Sequence, residues 1–230
     1  MQPYLFPYLG YYALIQSADK WIVFDEVQFI RHGWIERNRI LKPNSGWQYI
    51  SAPLEKHSRS TLIKDIKIKN TEDWKERIFN QLEHYKKKAP YYRQVLDFLN
   101  QAFLFQTEYI SLLNAHLLNE SCNYLGIPFH YEIYSGMNTI IDPINEPSDW
   151  ALNISKAIGA SCYINPIGGI ELFNKKKFDK MGIDLKFLKF NGIEYNQHRS
   201  VFESGLSIID VMMFNSPGII REILKQCELI

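Results

Sequence analysis

Gln2-Pro3-Tyr4-Leu5-Phe6-Pro7-Tyr8-Leu9-Gly10-Tyr11-Tyr12 opens the chain, and Trp21-Ile22-Val23-Phe24-Asp25-Glu26-Val27-Gln28-Phe29 follows a short amphipathic segment. Arg31-His32-Gly33-Trp34-Ile35-Glu36-Arg37-Asn38-Arg39 completes the stretch. The order is a Pro/Gly/aromatic turn, a helix, a buried strand and then a cluster of acid, amide and guanidinium groups. Tyr11, Leu14, Ile15 and Ala18 recur at helical spacing. Trp21 to Phe24 is apolar throughout and ends at an acid, as a buried parallel strand does. Open α/β sheets place ligands just beyond the carboxyl ends of their strands, which is where these polar groups fall.

Outward from there, Val27 to Asn44 reads as a long ordered loop. Trp47 to Ala52 and Leu62 to Ile68 alternate as strands do. The middle is helical: Glu72 to Lys88 after Thr71 as cap, Tyr91 to Phe103, and Thr107 to Leu125 with Gly126 as stop. From Pro128 onward strand and helix alternate. Phe129–Tyr134, Ser161–Asn165 and Leu185–Phe190 are the strands. Helices start at Pro147-Ser148-Asp149, at Ile170 and at Pro217. The pattern predicts an α/β fold with a mostly parallel, Rossmann-like sheet. It is read as a single domain over residues 1–230, with residues 71–126 a helical subdomain.

The chain has 230 residues, long enough to bury a sizeable core. Its 26 basic and 25 acidic residues leave little net field, which argues against a nucleic-acid partner held by charge alone. The three cysteines, Cys122, Cys162 and Cys227, are dispersed and suggest neither disulfide framework nor zinc site. No apolar run approaches the roughly 18 residues of a membrane span, and no signal peptide is visible, so the expected location is the cytoplasm.

Chemistry-bearing residues concentrate in three places. Asp25, Gln28, Arg31, His32, Trp34, Arg37 and Asn38 crowd the stretch after the first strand. Arginines grip phosphate bidentately and tryptophan stacks on a base or sugar face, so the cluster suits an anionic, hydroxyl-rich ligand. Gly168-Gly169 lies between a strand and a helix, where backbone N–H groups can meet an anion. Tyr195, Gln197, His198 and Arg199 follow the last long strand. The six histidines make no metal-binding spacing; His32 and His198 are the better general-base candidates. No metal site and no particular cofactor are indicated.

The motifs Gln2-Pro3-Tyr4-x-x-Pro7-Tyr8-x-Gly10-Tyr11, Asp25-Glu26-Val27-Gln28-Phe29 and Arg31-x-Gly33-Trp34-Ile35-x-Arg37-Asn38-Arg39 resemble the WbqC-like protein family. So do Tyr85-Lys86-Lys87-x-Ala89-Pro90-Tyr91-Tyr92, Gly168-Gly169, Gln197 and Leu206-Ser207-Ile208-Ile209-Asp210. The resemblance implies a transferase of surface-polysaccharide (O-antigen-type) biosynthesis. It would attach an aminoacyl or acyl group to a nucleotide-linked amino sugar, with an aminoacyl-tRNA as one conceivable donor. It also implies that Gln2, Tyr4, Pro7, Gly10, Tyr11 and Gln197 contribute to substrate binding. Arg31, Arg37 and Asn38 would then anchor the ligand with Trp34, Asp25 or His32 would act as base, Gln28 would orient substrate, and Gly168-Gly169 would form a second wall. Members usually carry a short apolar strand before the Gln-Pro-Tyr motif, so that strand is expected ahead of Met1 or is missing.

The opening is also similar to that of the HxGH nucleotidyltransferases, with Tyr8 and Tyr11 at the two histidine positions. That likeness implies an ATP-dependent ligase or nucleotidyltransferase as the alternative function. A third reading is a non-catalytic partner of a polysaccharide-biosynthesis enzyme. Tyrosine cannot offer phosphate the positive charge of histidine, so a shared fold need not carry adenylyl transfer.

Overall fold

Trp21, Ile22 and Val23 form the strand β1 (Trp21–Val23), which pairs in parallel with β4 (Tyr131–Ile133). The computed structural model describes residues Met1 to Ile230. Met1 adds one parallel bridge on β1: its amine donates to the carbonyl of Ile22 at 2.7 Å, and its carbonyl accepts from the amide of Phe24 at 2.8 Å. Between Met1 and β1 the chain makes the Pro-rich turn and the helix α1 (Leu9–Gln16), almost wholly buried.

An antiparallel hairpin follows, β2 (Arg37–Leu41) and β3 (Trp47–Ser51), with Arg39 opposite Tyr49 and Leu41 opposite Trp47. The helices α2 (Trp74–Leu82), α3 (Tyr92–Ala102) and α4 (Ile110–Leu125) come next. Gly126 closes α4 at φ +67°, the left-handed conformation a C-terminal cap requires. After β4 come α5 (Asp149–Ala157), β5 (Cys162–Pro166), α6 (Lys175–Lys180) and β6 (Asp184–Phe190). The chain ends with α7 (Ile208–Phe214), α8 (Pro217–Leu224) and β7 (Cys227–Leu229). β6 pairs with β5 in parallel and with β7 antiparallel. The fold is therefore mixed α/β, its strands hydrogen-bonded into three small sheets, two of them holding parallel pairs.

The β5–β6 pair has a helix layer on each face. Leu188 of β6 joins the main core, with Ile164 of β5 packed against it. Leu185 and Phe187 point the other way, into a second cluster with Leu152 of α5, Phe178 of α6 and Ile183. The main core holds 46 buried residues drawn from α1, β1, the hairpin, α2, α3, α4, α7 and α8. No helix is long and apolar enough to cross a membrane.

Several expected elements differ. Residues 27–44 are not all loop, because β2 lies within them. Its Arg-Asn-Arg-Ile-Leu run puts arginines on one face and an asparagine on the other, so alternation of polarity does not mark it. Leu62–Ile68 is not a strand. Ile63 and Lys64 donate their amides to the carbonyls of Val27 and Asp25, which interrupts any ladder and leaves a 3₁₀ turn at Ile63–Asp65. The helix expected over Glu72–Lys88 tightens to a 3₁₀ turn after Leu82. The one expected from Ile170 begins at Lys175.

Candidate functional site

Phe6 is buried and holds φ +43°, a left-handed conformation that costs a non-glycine residue about 1–3 kcal/mol. Its surroundings fix it there. The Asn38 side-chain amide donates to the carbonyls of Leu5 and Phe6, both at 2.9 Å, and Ser207 Oγ donates to the same Phe6 carbonyl at 2.8 Å. The amide of Ile208 donates to Pro7 O at 2.9 Å. β2 and the start of α7 thus clamp the turn and aim the start of α1. Tyr8 lies over Gly10, where any Cβ would come within 2.5 Å of its ring.

Tyr8 and Leu9 form one wall of a cleft of about 370 Å³. Phe190 to Tyr195, at and beyond the carboxyl end of β6, Phe202 to Leu206 and Val211 of α7 form the rest. The lining mixes Tyr8, Tyr195 and Phe202 with Glu194, Glu203 and Ser204. Buried Gln197 shapes the loop: its Nε2 donates to Glu203 O and its Oε1 accepts from Glu203 N, both at 2.9 Å. Beneath the cleft Tyr195 donates to Asp210 Oδ1 at 2.6 Å, and Tyr85 donates to Oδ2. Leu41 N donates to the Tyr85 hydroxyl at 2.9 Å, so this network joins β2, the loop and α7. Burial raises the Asp210 carboxyl to about 6, although both phenols favour its ionised form.

The hairpin carries the second feature. Arg37 and Arg39 stand two residues apart on one face of β2, with Trp47 and Tyr49 of β3 on the same face. Arg37 lies 4.1 Å from the Tyr49 ring centre; Arg39 lies 5.1 Å from that of Trp47 and 5.4 Å from that of Trp34. Neither arginine has a carboxylate within ion-pair distance, nor do Arg31 and Arg199. Arg39 donates to the carbonyl of Gly205 at 3.0 Å, which joins the hairpin to the rim of the cleft. Gly205 has φ +63°, and a Cβ there would come within 2.9 Å of the guanidinium.

The residues singled out in the sequence divide between these places. Pro7 and Gly10 belong to the clamped turn, and Asn38 has its amide committed to backbone partners. Gln2 accepts the buried Tyr11 hydroxyl at its carbonyl, while Tyr4 packs on the Tyr11 ring. Arg37 and Trp34 belong to the hairpin face. His32 is exposed at φ +63°, its carbonyl accepting from Arg37 at 2.6 Å. Asp25 is fully buried and accepts from the amide and hydroxyl of Ser135 at 3.0 and 2.7 Å; burial raises its carboxyl above the ordinary range. Gln28 donates to Arg59 O, and Arg31 donates to His57 O at 3.1 Å. Gly168-Gly169 sits in a 3₁₀ turn after β5, with the Asn165 side chain against Gly169. Asp25, Ser135, Gly168 and Tyr195 all follow parallel strands, but only the β6 loop and α1 meet in the cleft.

The sequence marks Tyr85 and Asp210 only as motif residues, with no role assigned, and does not mark Trp47 or Tyr49 as site residues at all. Tyr85 and Asp210 are far apart in sequence, and only α7's packing against β2 and the 3₁₀ turn after α2 brings them together. Trp47 and Tyr49 alternate on a predicted strand, which marks a shared face but not its exposure. No group of three or more His, Cys, Asp or Glu side chains is arranged to hold a metal ion. A larger hollow, about 470 Å³, opens beside the start of α2; its Lys75 ammonium donates to backbone carbonyls of Phe103 and Phe105.

The turn, the cleft loop and the hairpin all lie within the span that a model of the WbqC-like protein family matches, residues 2–222. The chain belongs to that family. It is also 28% identical over 231 residues to an uncharacterized protein, Rv1507c, of Mycobacterium tuberculosis, covering 96% of this chain and 94% of the relative. No solved structure matches. This WbqC-like chain therefore aligns over nearly all of its length with a relative that is itself uncharacterized.

Proposed function

We propose that this WbqC-like protein is a transferase that attaches an aminoacyl or acyl group to a nucleotide-linked amino sugar used in surface-polysaccharide assembly. The observation that carries this reading is the cleft between α1 and the loop after β6. Tyr8, Tyr195 and Phe202 offer faces for a sugar ring, and Glu194 and Glu203 offer acceptors for an amine. Arg39 sits at its rim for phosphate. In the transfer the amine nitrogen attacks the donor's acyl carbon. The C–N bond forms, the bond to the donor's leaving group breaks, and the amine proton passes to a base. Of the candidate bases, Asp25 is closed off beneath Ser135, while His32 and His198 are exposed but neither lines the cleft.

The finer fold assignment belongs to the same proposal. Met1 bridges β1, and α1 packs against both β5 and β6. We read the two parallel pairs as halves of one Rossmann-like arrangement with helices on both faces. Adenylyl transfer of the HxGH type is less well supported. Tyr11 is buried with its hydroxyl on Gln2 O, so the turn presents Tyr8 alone and no imidazole.

A thermal-shift comparison tests the reading. The panel holds nucleotide-linked amino sugars, the same nucleotide sugars with hydroxyl in place of amine, ATP with magnesium, acyl-coenzyme A and amino acids. A ligand at a hundred times its dissociation constant adds about 2.7 kcal/mol. The amino sugars should stabilise more than their hydroxyl counterparts, and Glu203→Gln should erase that difference. Equal shifts for both sets would sink the amino-sugar assignment, and a shift with ATP alone would favour the ligase.

A further inference from the structure

The cleft reading uses the hairpin face only at Arg39, yet the face holds a pair of such cations. Arg37 and Arg39 are half-buried cations with no carboxylate partner. Each donates one terminal nitrogen, Nη2, to a backbone carbonyl, at 2.6 Å for Arg37 and 3.0 Å for Arg39. Each Nη1 has no protein acceptor, and each Nε is covered and unpartnered. Partly desolvating a cation without an anion is costly. The rings beneath return part of that cost. They do nothing for the outward-facing N–H groups.

We propose that this face binds the nucleoside diphosphate portion of the ligand, with Arg37 and Arg39 on the two phosphates and the Trp34–Trp47 faces under the base. The proposal rests on the cleft reading for what lies beyond the second phosphate. Residues two apart on a strand stand about 6.5–7 Å apart, close enough for two long side chains to close on one diphosphate from either side. The planar donor fork of arginine fits phosphate bidentately. Trp34 is 38% exposed beside Arg39, so a base has a flat surface to cover. The Arg39–Gly205 bond makes this face continuous with the cleft. A ligand laid across it has its diphosphate on the two arginines and its sugar toward the cleft. Single-stranded RNA is the other polymer-scale occupant of a cation–aromatic strip. A chain with 26 basic and 25 acidic residues, and two arginines on the strip, suits a single diphosphate better than a phosphate track.

Tryptophan fluorescence titration of the full chain tests it. The probes are the common nucleoside diphosphates, their monophosphates, their nucleosides, a nucleotide-linked amino sugar and a short single-stranded RNA. A nucleoside diphosphate should quench the emission and bind more tightly than its monophosphate, with affinity falling as salt rises. Arg39→Gln and Trp47→Leu should each weaken it roughly tenfold to hundredfold, with Arg39→Lys between. Melting curves check that the variants fold; Trp34→Leu, at a more exposed position, replaces any that does not. An amino-sugar nucleotide that binds wild type and variants alike would overturn the platform while leaving the cleft reading standing. A diphosphate that binds and is lost in the variants, without preference for the amino sugar, would keep the platform and remove the amino-sugar assignment. RNA binding more tightly than any diphosphate, or no diphosphate binding, would overturn the proposal.

Discussion

Asp210 is fully buried beneath the cleft, and its carboxyl titrates near 6. The groups facing it are Tyr195 and Tyr85, which donate to it, and the more distant charge of Arg199. A carboxyl whose folded value lies above its unfolded value near 4 binds its proton more tightly in the native state. The stabilisation is complete below about pH 4 and is lost as pH rises through about 6, to the extent of about 3 kcal/mol. Asp210→Asn keeps the shape without the ionisation. Urea denaturation at pH 4.5 and pH 7 should therefore show the variant gaining on wild type as pH rises; an unchanged difference would refute the assignment. Asn38 has the opposite character, because its amide is uncharged and fully engaged. Asn38→Ala removes the donor to Leu5 O and one of two donors to Phe6 O, in a turn already holding an unfavourable φ. The expected loss is about 2–4 kcal/mol in urea denaturation. Asn38→Asp, which cannot donate, should not rescue it.

At the scale of elements, how much was legible depended on whether an element's neighbours were local. β1, α4, β5 and β6 announce themselves through apolar runs and Gly or Pro stops, and the structure has them. β2 did not, because its arginines face outward and its partner for Asn38 is the N-terminal turn rather than a neighbouring strand. Leu62–Ile68 looked like a strand because Ile63, Ile66 and Ile68 alternate with charge, yet its amides are drawn to Val27 and Asp25. The cleft was half legible. Tyr195 and Gln197 stood out after the last long strand, but Glu203 joins them only through the turn that Gln197 holds closed. Gly205 gives this scale its own test. Gly205→Ala combines strain at φ +63° with a clash at the Arg39 guanidinium. It should weaken nucleoside diphosphate binding about as much as Arg39→Gln, while a glycine-to-alanine change at Gly46, also at positive φ but with open space around it, should leave that binding within about twofold.

Across the molecule, the two apolar clusters are unequal. The larger holds 46 buried residues and the smaller holds five: Leu152, Phe178, Ile183, Leu185 and Phe187. The β5–β6 pair divides them, since Leu188 faces the first cluster and Leu185 and Phe187 the second. α6 is a six-residue helix held by Phe178 and by Lys177, which reaches Asp149 at 2.8 Å and Glu146 at 2.7 Å. So few contacts should let α6 lift from the sheet without opening the main core, and loosen α5 where Leu152 meets the small cluster. Native-state hydrogen exchange would show the amides of α6 opening at a lower free energy than those of α4, whose buried face lies wholly in the larger cluster. Phe178→Ala, which removes a ring also packed on Tyr163 and Phe173, should cost the small unit about 3 kcal/mol. Exchange in α5 and α6 should accelerate accordingly, with α4 unchanged. If α4 and α6 instead exchange at one common free energy and fall together in the variant, the two clusters unfold as one cooperative unit. The cleft loop, anchored through Asp210 to the main core, would then share the fate of α6 rather than outlast it.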